Sequence, residues 1–422
     1  MHKPEEQMTR ATNVPWWREP TKAQWAAFLA AWSGWVLDAF DFTIFLLVMP
    51  HISKEFGVGL TAAAGSVTLT LLVRLAGGFA AGWAADRWGR KTPLMIAMIW
   101  FAVCDAAIAF APSFAWVLVL RTLFGFGMGA EWTAGATLAM ESWPERSRGL
   151  ASGLLQGSWA IGYLLAALAS AYVVPAFGWR ALFLLAAAPA LLVLPIRMWV
   201  EESPTWKADR AAAKARPQPL GDLLSGAVLG KLVWGVLVMG LGFGVYYAMS
   251  GVYPTMLITQ RGLDAKAVGL VLIVFNVGML AGSVVTGMIA QKRGVLIAVV
   301  APALLMVPLL PLYVGASPDL LHVGAFLGGA LGVGFCGVVP ALLTGMFDPQ
   351  VRARAVGVIY HGGALLAAFV PPGVTSLAEK TGWGLATSIA VVAGALEIAL
   401  AIAFVLSRKS APAATREPVT AH

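Results

Sequence analysis

Charge is what this sequence has least of. Asp, Glu, Lys and Arg make up 12% of its 422 residues, about half of the roughly 25% typical of soluble domains. Hydrophobic residues account for 59%, so the chain cannot coat a soluble surface and reads as an all-α polytopic membrane protein. Cysteine is scarce too: Cys104 and Cys336 lie far apart in apolar runs, which excludes a disulfide framework. There is no GxxxxGK[ST] loop, no His/Cys cluster at metal spacing and no Ser/His/Asp set at a membrane face. These absences exclude an ATP-driven pump and an enzyme and imply neither cofactor nor metal. The net charge of +8 would suit nucleic acid in a soluble chain, but here the basic residues gather in alternate loops, so no nucleic-acid partner is expected.

Apolar stretches long enough to cross about 30 Å of hydrocarbon recur along the chain. They fall near 25–50, 61–84, 93–111, 114–139, 149–173, 180–200, 231–255, 265–290, 294–315, 319–345, 353–378 and 384–406. The first exceeds a signal-peptide core and is expected to remain as a span. Twelve spans in two sets of six give a tail (1–24), a first half (25–200), a linker (201–230), a second half (231–406) and a second tail (407–422). The linker's basic residues and three prolines suit an intracellular connection holding a short helix. Arg18, Arg87, Arg90, Lys91, Arg146, Arg148, Lys292, Arg293, Arg352 and Arg354 fall on one side, and only Lys54, Arg180, Arg261, Lys266 and Lys380 on the other. Both termini are therefore expected in the cytoplasm, with the protein in the inner membrane.

Four charged residues interrupt the apolar sequence at Gly82-Trp-Ala-Ala-Asp-Arg-Trp-Gly-Arg-Lys91, which reads as a tight polar loop between two spans. Gly82 and Gly89 allow close contact and a sharp reversal, Asp86 can pair with a basic group, and Arg87, Arg90 and Lys91 hold the loop inside. A weaker copy follows at Gly287-Met-Ile-Ala-Gln-Lys-Arg-Gly294, where Gln291 stands in place of the aspartate. Glu141-Ser-Trp-Pro-Glu-Arg-Ser-Arg-Gly149 likewise has an echo at 347–357. Such a repeat implies two related halves with a substrate site between them near the midplane.

Ionisable groups inside spans cost roughly 2.5–3.5 kcal/mol to insert and are functional candidates by default. Asp38 and Asp41 share a face of the first span, and Glu131 sits among small residues of the fourth; these three are the candidate proton carriers. Arg74 and Arg121 offer a planar fork that matches a carboxylate. Arg121 is the slightly favoured substrate ligand, with proton coupling, or a structural pair with Asp41 or Glu131, as alternatives. Gln156, Trp159, Tyr163, Tyr246, Tyr247, Asn276 and His361 could complete a solute site without adding buried charge. Tyr253 belongs to the same polar inventory, while Asp105 and Glu397 read as packing residues.

The loop at 82–91 resembles the Gly-x-x-x-Asp-Arg-x-Gly-Arg-Arg/Lys element between the second and third helices of the major facilitator superfamily, and Arg121 to Gly129 resembles its fourth-helix motif. Glu202-Ser-Pro-Thr-Trp206 is similar to an element of its sugar and organic-acid porters. Asp38-Ala-Phe-Asp41 with Gly-Ala-Glu-Trp and Glu-Ser-Trp-Pro-Glu looks most like the sialate:proton symporter branch, which includes lactate and pyruvate carriers; aromatic-acid:proton symporters are close. The resemblance implies a monomeric carrier that takes up an organic carboxylate with protons by alternating access. A facilitator or exporter of another solute is the alternative.

Overall fold

The computed structural model describes residues 15–187, 196, 198–213, 226–315 and 317–410. Among them all regular structure is helical, and eleven helices are long and apolar enough to cross a membrane. The expected sixth span is described at Trp179–Ala186, and most of its remainder lies outside the described residues. So do the tail residues before Pro15, Lys214 and Arg216 of the linker, and Arg416. Ordinals below follow the twelve sequence stretches.

Long apolar runs become helices because hydrocarbon offers no partner for backbone N–H and C=O groups. The first span, Lys22–Phe56, opens on a reciprocal cap. The Gln24 N–H donates to Thr21 Oγ1 at 3.3 Å and the Thr21 N–H donates to Gln24 Oε1 at 2.8 Å. Three stretches expected as single helices are interrupted. The seventh breaks after Gly226–Ser250 and resumes at Tyr253–Thr259, and the eleventh is split into Arg352–Ala367 and Val370–Thr381 just before Pro371 and Pro372. The tenth passes from Leu321–Leu327 through a π-helical turn, Gly328–Val333, and a 3-10 stretch, Gly334–Val338, to Val339–Gly345. The linker contributes a short helix, Pro204–Ala213.

Within the first half, the second helix (Leu60–Trp88) packs closely along the fourth (Phe114–Ser142). A Cβ on Gly125 would strike the Thr70 carbonyl oxygen, and one on Gly129 the Arg74 carbonyl oxygen. Glycine alone permits that approach. Across the halves, the second span packs on the eleventh and the fifth (Arg148–Phe177) on the eighth (Ala265–Arg293). Gly82 lies against the backbone of Ala353 and Arg354, and Gly149 against that of Gly287. The stretch expected as a loop at 82–91 is helical as far as Trp88, and only Gly89 and Arg90 separate it from the next helix, so the bundle has an Asp86 end formed by helix ends and an opposite, Glu55 end.

Candidate substrate and ion-coupling site

The Asp86 end is locked across the two halves. The Asp86 carboxylate accepts from the Ala353 and Arg354 backbone N–H groups, each at 3.2 Å, and from Arg354 Nε at 3.0 Å. It therefore caps the eleventh span's first turn, where free N–H groups and the helix dipole both favour an anion. Arg90, fully buried, forms a bidentate pair with Glu141 (Nε–Oε2 3.0 Å, Nη2–Oε1 2.9 Å) and donates to the Ala85 and Pro349 carbonyls. Arg352 of the second half reaches the same Glu141 oxygen at 2.9 Å.

The Glu202-to-Trp206 element braces this lock from behind. Glu202 accepts the Arg90 N–H at 2.8 Å and the Lys91 N–H at 3.1 Å, Ser203 Oγ donates to Glu141 at 2.5 Å, and Trp206 Nε1 donates to the Asp86 carbonyl at 3.0 Å. Gly89 has φ +96°, and a Cβ there would collide with the Glu202 carboxylate, so this corner requires glycine twice over. Arg87 is exposed, its guanidinium 5.5 Å from the Trp83 ring centre.

At mid-depth, Arg74 Nη2 stands 3.7 Å from Asp38 Oδ2, both groups buried. That separation exceeds a hydrogen bond, and the buried Arg74 Nε and Nη2 atoms have no hydrogen-bond acceptor. The guanidinium carbon lies 5.7 Å from the ring centre of Tyr360, a second-half residue. Tyr360 stacks on Trp132 of the first half, centroids 3.4 Å apart and 19° between planes. Trp35 touches Trp132, Trp159 and Tyr360 at 5.5, 5.6 and 5.9 Å. Trp159, Tyr163, Tyr246 and Tyr247 are only half-buried, and Trp159 Nε1 donates to Tyr246 Oη at 3.3 Å across the halves. The stacked Trp132–Tyr360 pair is thus the centre of an aromatic cluster built from both halves, with Arg74 at its side.

Arg121 has a different setting. It is fully buried within the first half, with Phe45 and Phe124 at 4.4 and 4.1 Å from its guanidinium carbon. Its carboxylate neighbour, at 3.7 Å, is Asp105. This corrects the reading of Asp105 as a peripheral packing residue; of the partners expected of Arg121, Asp41 lies beside the pair, and Glu131 lies with Asp38 and Arg74 instead. Asp41 and Asp105 are buried neighbours beside Arg121. Asp38 and Asp41 remain neighbours: Arg74 stands beside Asp38, and Arg121 is close enough to act on both. Glu131 is buried with neither oxygen hydrogen-bonded; a Cβ on Gly34 would collide with it, and its charged neighbours are Asp38 and Arg74.

The remaining candidates divide. Gln156 is buried beside Tyr360. His361 is turned into the seam with the first half: its Nε2 lies 3.0 Å from the Gly129 carbonyl, which can only accept, so the ring donates there. Asn276 donates to Leu272 O on its own helix at 2.8 Å. Tyr253 stacks on Tyr313, centroids 4.2 Å apart, within the second half. The sequence reading missed Trp35, Trp132 and Tyr360, because an aromatic in a long apolar run carries no mark of which face it occupies. Tyr360 had one usable signal, its position next to His361.

The Major Facilitator Superfamily profile matches residues 31–340 and 253–421. The chain belongs to that family. It is 31% identical over 379 residues to a probable 4-methylmuconolactone transporter of Cupriavidus pinatubonensis, covering 87% of each chain. It is 27% identical over 392 residues to the sialic acid transporter NanX of Escherichia coli, covering 92% of this chain and 96% of the relative. Among solved structures, the proton:xylose symporter XylE has the same fold, with a TM-score of 0.76 at 18% identity, covering 92% of this chain and 96% of the other. This superfamily member is therefore a multi-pass membrane transporter near the sialate and aromatic-acid branches, and not an enzyme.

Proposed function

We propose that this transporter takes up a small organic carboxylate together with a proton, by rocking of its two halves about the aromatic cluster. The observation that carries this reading is Arg74, a buried guanidinium with unpaired N–H groups, at the side of a cluster built from both halves. Such donors match a carboxylate's two oxygens. A buried cation also needs a counter-charge, which Asp38 supplies at 3.7 Å. An arriving carboxylate takes over that role and leaves Asp38 with excess negative charge, which a proton neutralises. One anion and one proton enter together and the site's net charge is unchanged. Asp41 and Asp105, two buried carboxyl groups beside the single Arg121, support a further proton-handling step within the first half, because one guanidinium offsets only one of two carboxylates.

The half-buried Trp159, Tyr163, Tyr246 and Tyr247 beside the stack suit an acid that combines a flat or apolar part with hydrogen-bonding groups. The relatives' named cargoes, sialic acid and 4-methylmuconolactone, support an oxygen-rich organic substrate. The excess of basic residues at the Asp86 end supports placing that end, and both termini, in the cytoplasm of the inner membrane; the cluster is then shut off from the cytoplasm. We assign the chain no partner beyond substrate, protons and lipid, and take it as a monomer. Uptake of radiolabelled aromatic, muconate-like and sialic acids into proteoliposomes, with and without an imposed inward proton gradient, tests the reading. Gradient stimulation of at least one acid is expected, and none for any acid would overturn it.

A further inference from the structure

Glu397 lies midway along the twelfth span, Gly384–Ser410, and is fully buried. Neither carboxyl oxygen has a hydrogen-bond partner. Among the described residues, the lysines and arginines of the second half lie at or near helix ends, so no cation balances it. An unpaired ionised carboxylate in such a place is too costly to persist. The group must carry a bound cation or a proton.

What faces Glu397 is the irregular part of the tenth span. A Cβ on Gly332, within the π-helical turn, would lie 3.4 Å from Glu397 Oε1, with Met249 also against it. Cys336, in the 3-10 stretch that follows, is a titratable neighbour whose thiol feels the Glu397 carboxyl. Of the tyrosines on the elements packed around it, Tyr247 lies toward Arg74 and Tyr246, and the other three make hydrogen bonds elsewhere. Tyr313 Oη donates to Met249 O at 2.6 Å, Tyr253 Oη to Tyr313 O at 3.1 Å, and Tyr246 accepts from Trp159. Sulfur atoms and a glycine Cα offer nothing to a hard cation such as sodium, which prefers oxygen ligands. A proton needs no ligand shell. The π turn and 3-10 stretch also mark backbone able to change helical register, and the Gly334 carbonyl is already held outside its own helix by Thr286 Oγ1 at 2.5 Å.

We propose that Glu397 is a second, reversible proton site, housed in the second half and opened or closed by rearrangement of Gly328–Val338 in the tenth span. In this role it binds a proton while the irregular segment covers it and releases it when that segment shifts and admits water. This site is separate from the Asp38 and Asp41–Asp105 groups and does not depend on which solute is carried.

Infrared difference spectra of the purified, reconstituted full chain, recorded between acid and alkaline pH without substrate, test it. Wild type should show a protonated-carboxyl C=O component that disappears on alkalinisation, and Glu397→Gln should lose that component. Superimposable spectra for the two proteins would overturn the proposal, as would a Glu397 component that persists unchanged at every pH. A component that responds to sodium at fixed pH, and not to pH, would also overturn it in favour of a cation site. Glu397→Asp guards against misfolding of the glutamine variant, because it keeps a carboxyl in altered surroundings. Its component should shift in frequency, and an unshifted one would remove the assignment to Glu397.

Discussion

Asp86 and Gln291 sit in the last turns of the equivalent second and eighth spans, and each reaches across the interface to the first turn of a helix in the other half. Asp86 accepts the Ala353 and Arg354 N–H groups, while Gln291 Oε1 accepts the Gly149 N–H at 2.5 Å and its Nε2 donates to Glu145 O at 3.1 Å. The geometry is repeated but the charge is not, since Asp86 adds an ion pair to Arg354 at 3.0 Å that Gln291 cannot make. The aspartate contact is therefore the stronger of the two locks on this end.

Asp86→Asn should loosen the lock while preserving its shape. Hydrogen bonds to charged groups contribute about 1.5–3 kcal/mol, so the closed-to-open ratio at this end should fall roughly ten- to hundredfold. Spin labels on the exposed residues Arg87 and Lys292 report the separation of the halves. A distance distribution identical to wild type would show that Asp86 does not hold this end shut.

Arg74→Lys keeps the charge and loses the fork. Affinity for the transported acid should drop about tenfold, or ~1.4 kcal/mol. Arg121→Lys, walled in by Phe45 and Phe124, should leave affinity within about twofold and change thermal stability or the pH profile of uptake instead. Calorimetry at one pH separates them, and equal losses in both variants would defeat the division of roles.

Asp38→Asn, Asp41→Asn and Asp105→Asn replace titrating groups by near-isosteres. Each should abolish gradient-driven accumulation, to about a tenth of wild type or less, while solute counterflow at equal pH continues. Full accumulation by the Asp105 variant would return that residue to a packing role.

The aromatic cluster can be tested by comparing Tyr360→Phe with Tyr360→Ala. An aromatic pair contributes about 0.5–1.5 kcal/mol beyond its buried area, so the alanine variant should bind an aromatic acid about two- to tenfold more weakly than the phenylalanine one. Equal binding by both would place the substrate away from the Trp132–Tyr360 stack.

Gly129→Val puts a branched side chain against the Arg74 carbonyl. Overpacking a tight seam costs about 1–3 kcal/mol, so this variant should show a lowered thermal midpoint and a reduced monodisperse yield. A wild-type melting curve would mean that the second and fourth helices can separate at this point without penalty.

Much of this architecture was readable before any coordinates. Length and apolarity determined the spans, because a bilayer demands about twenty apolar residues per crossing and leaves the backbone no option but to bond to itself. The charged loops determined which ends of the spans lie together, and the repeat announced two halves. Asp38, Arg74, Arg121 and Glu131 stood out for the same reason, as charges in hydrocarbon are conspicuous. Pairing was not readable. That Arg121 faces Asp105 and Asp41, and that Arg74 faces Asp38 and the ring of Tyr360, depends on how helices distant in sequence rotate against one another. That rotation is set by glycine contacts such as Gly129 on Arg74. The aromatic cluster was hidden for a related cause: in a chain apolar on every side, Trp132 and Tyr360 look like their neighbours until the halves close on them. Composition determined the solvent this protein lives in, and only tertiary packing decided which buried charge meets which.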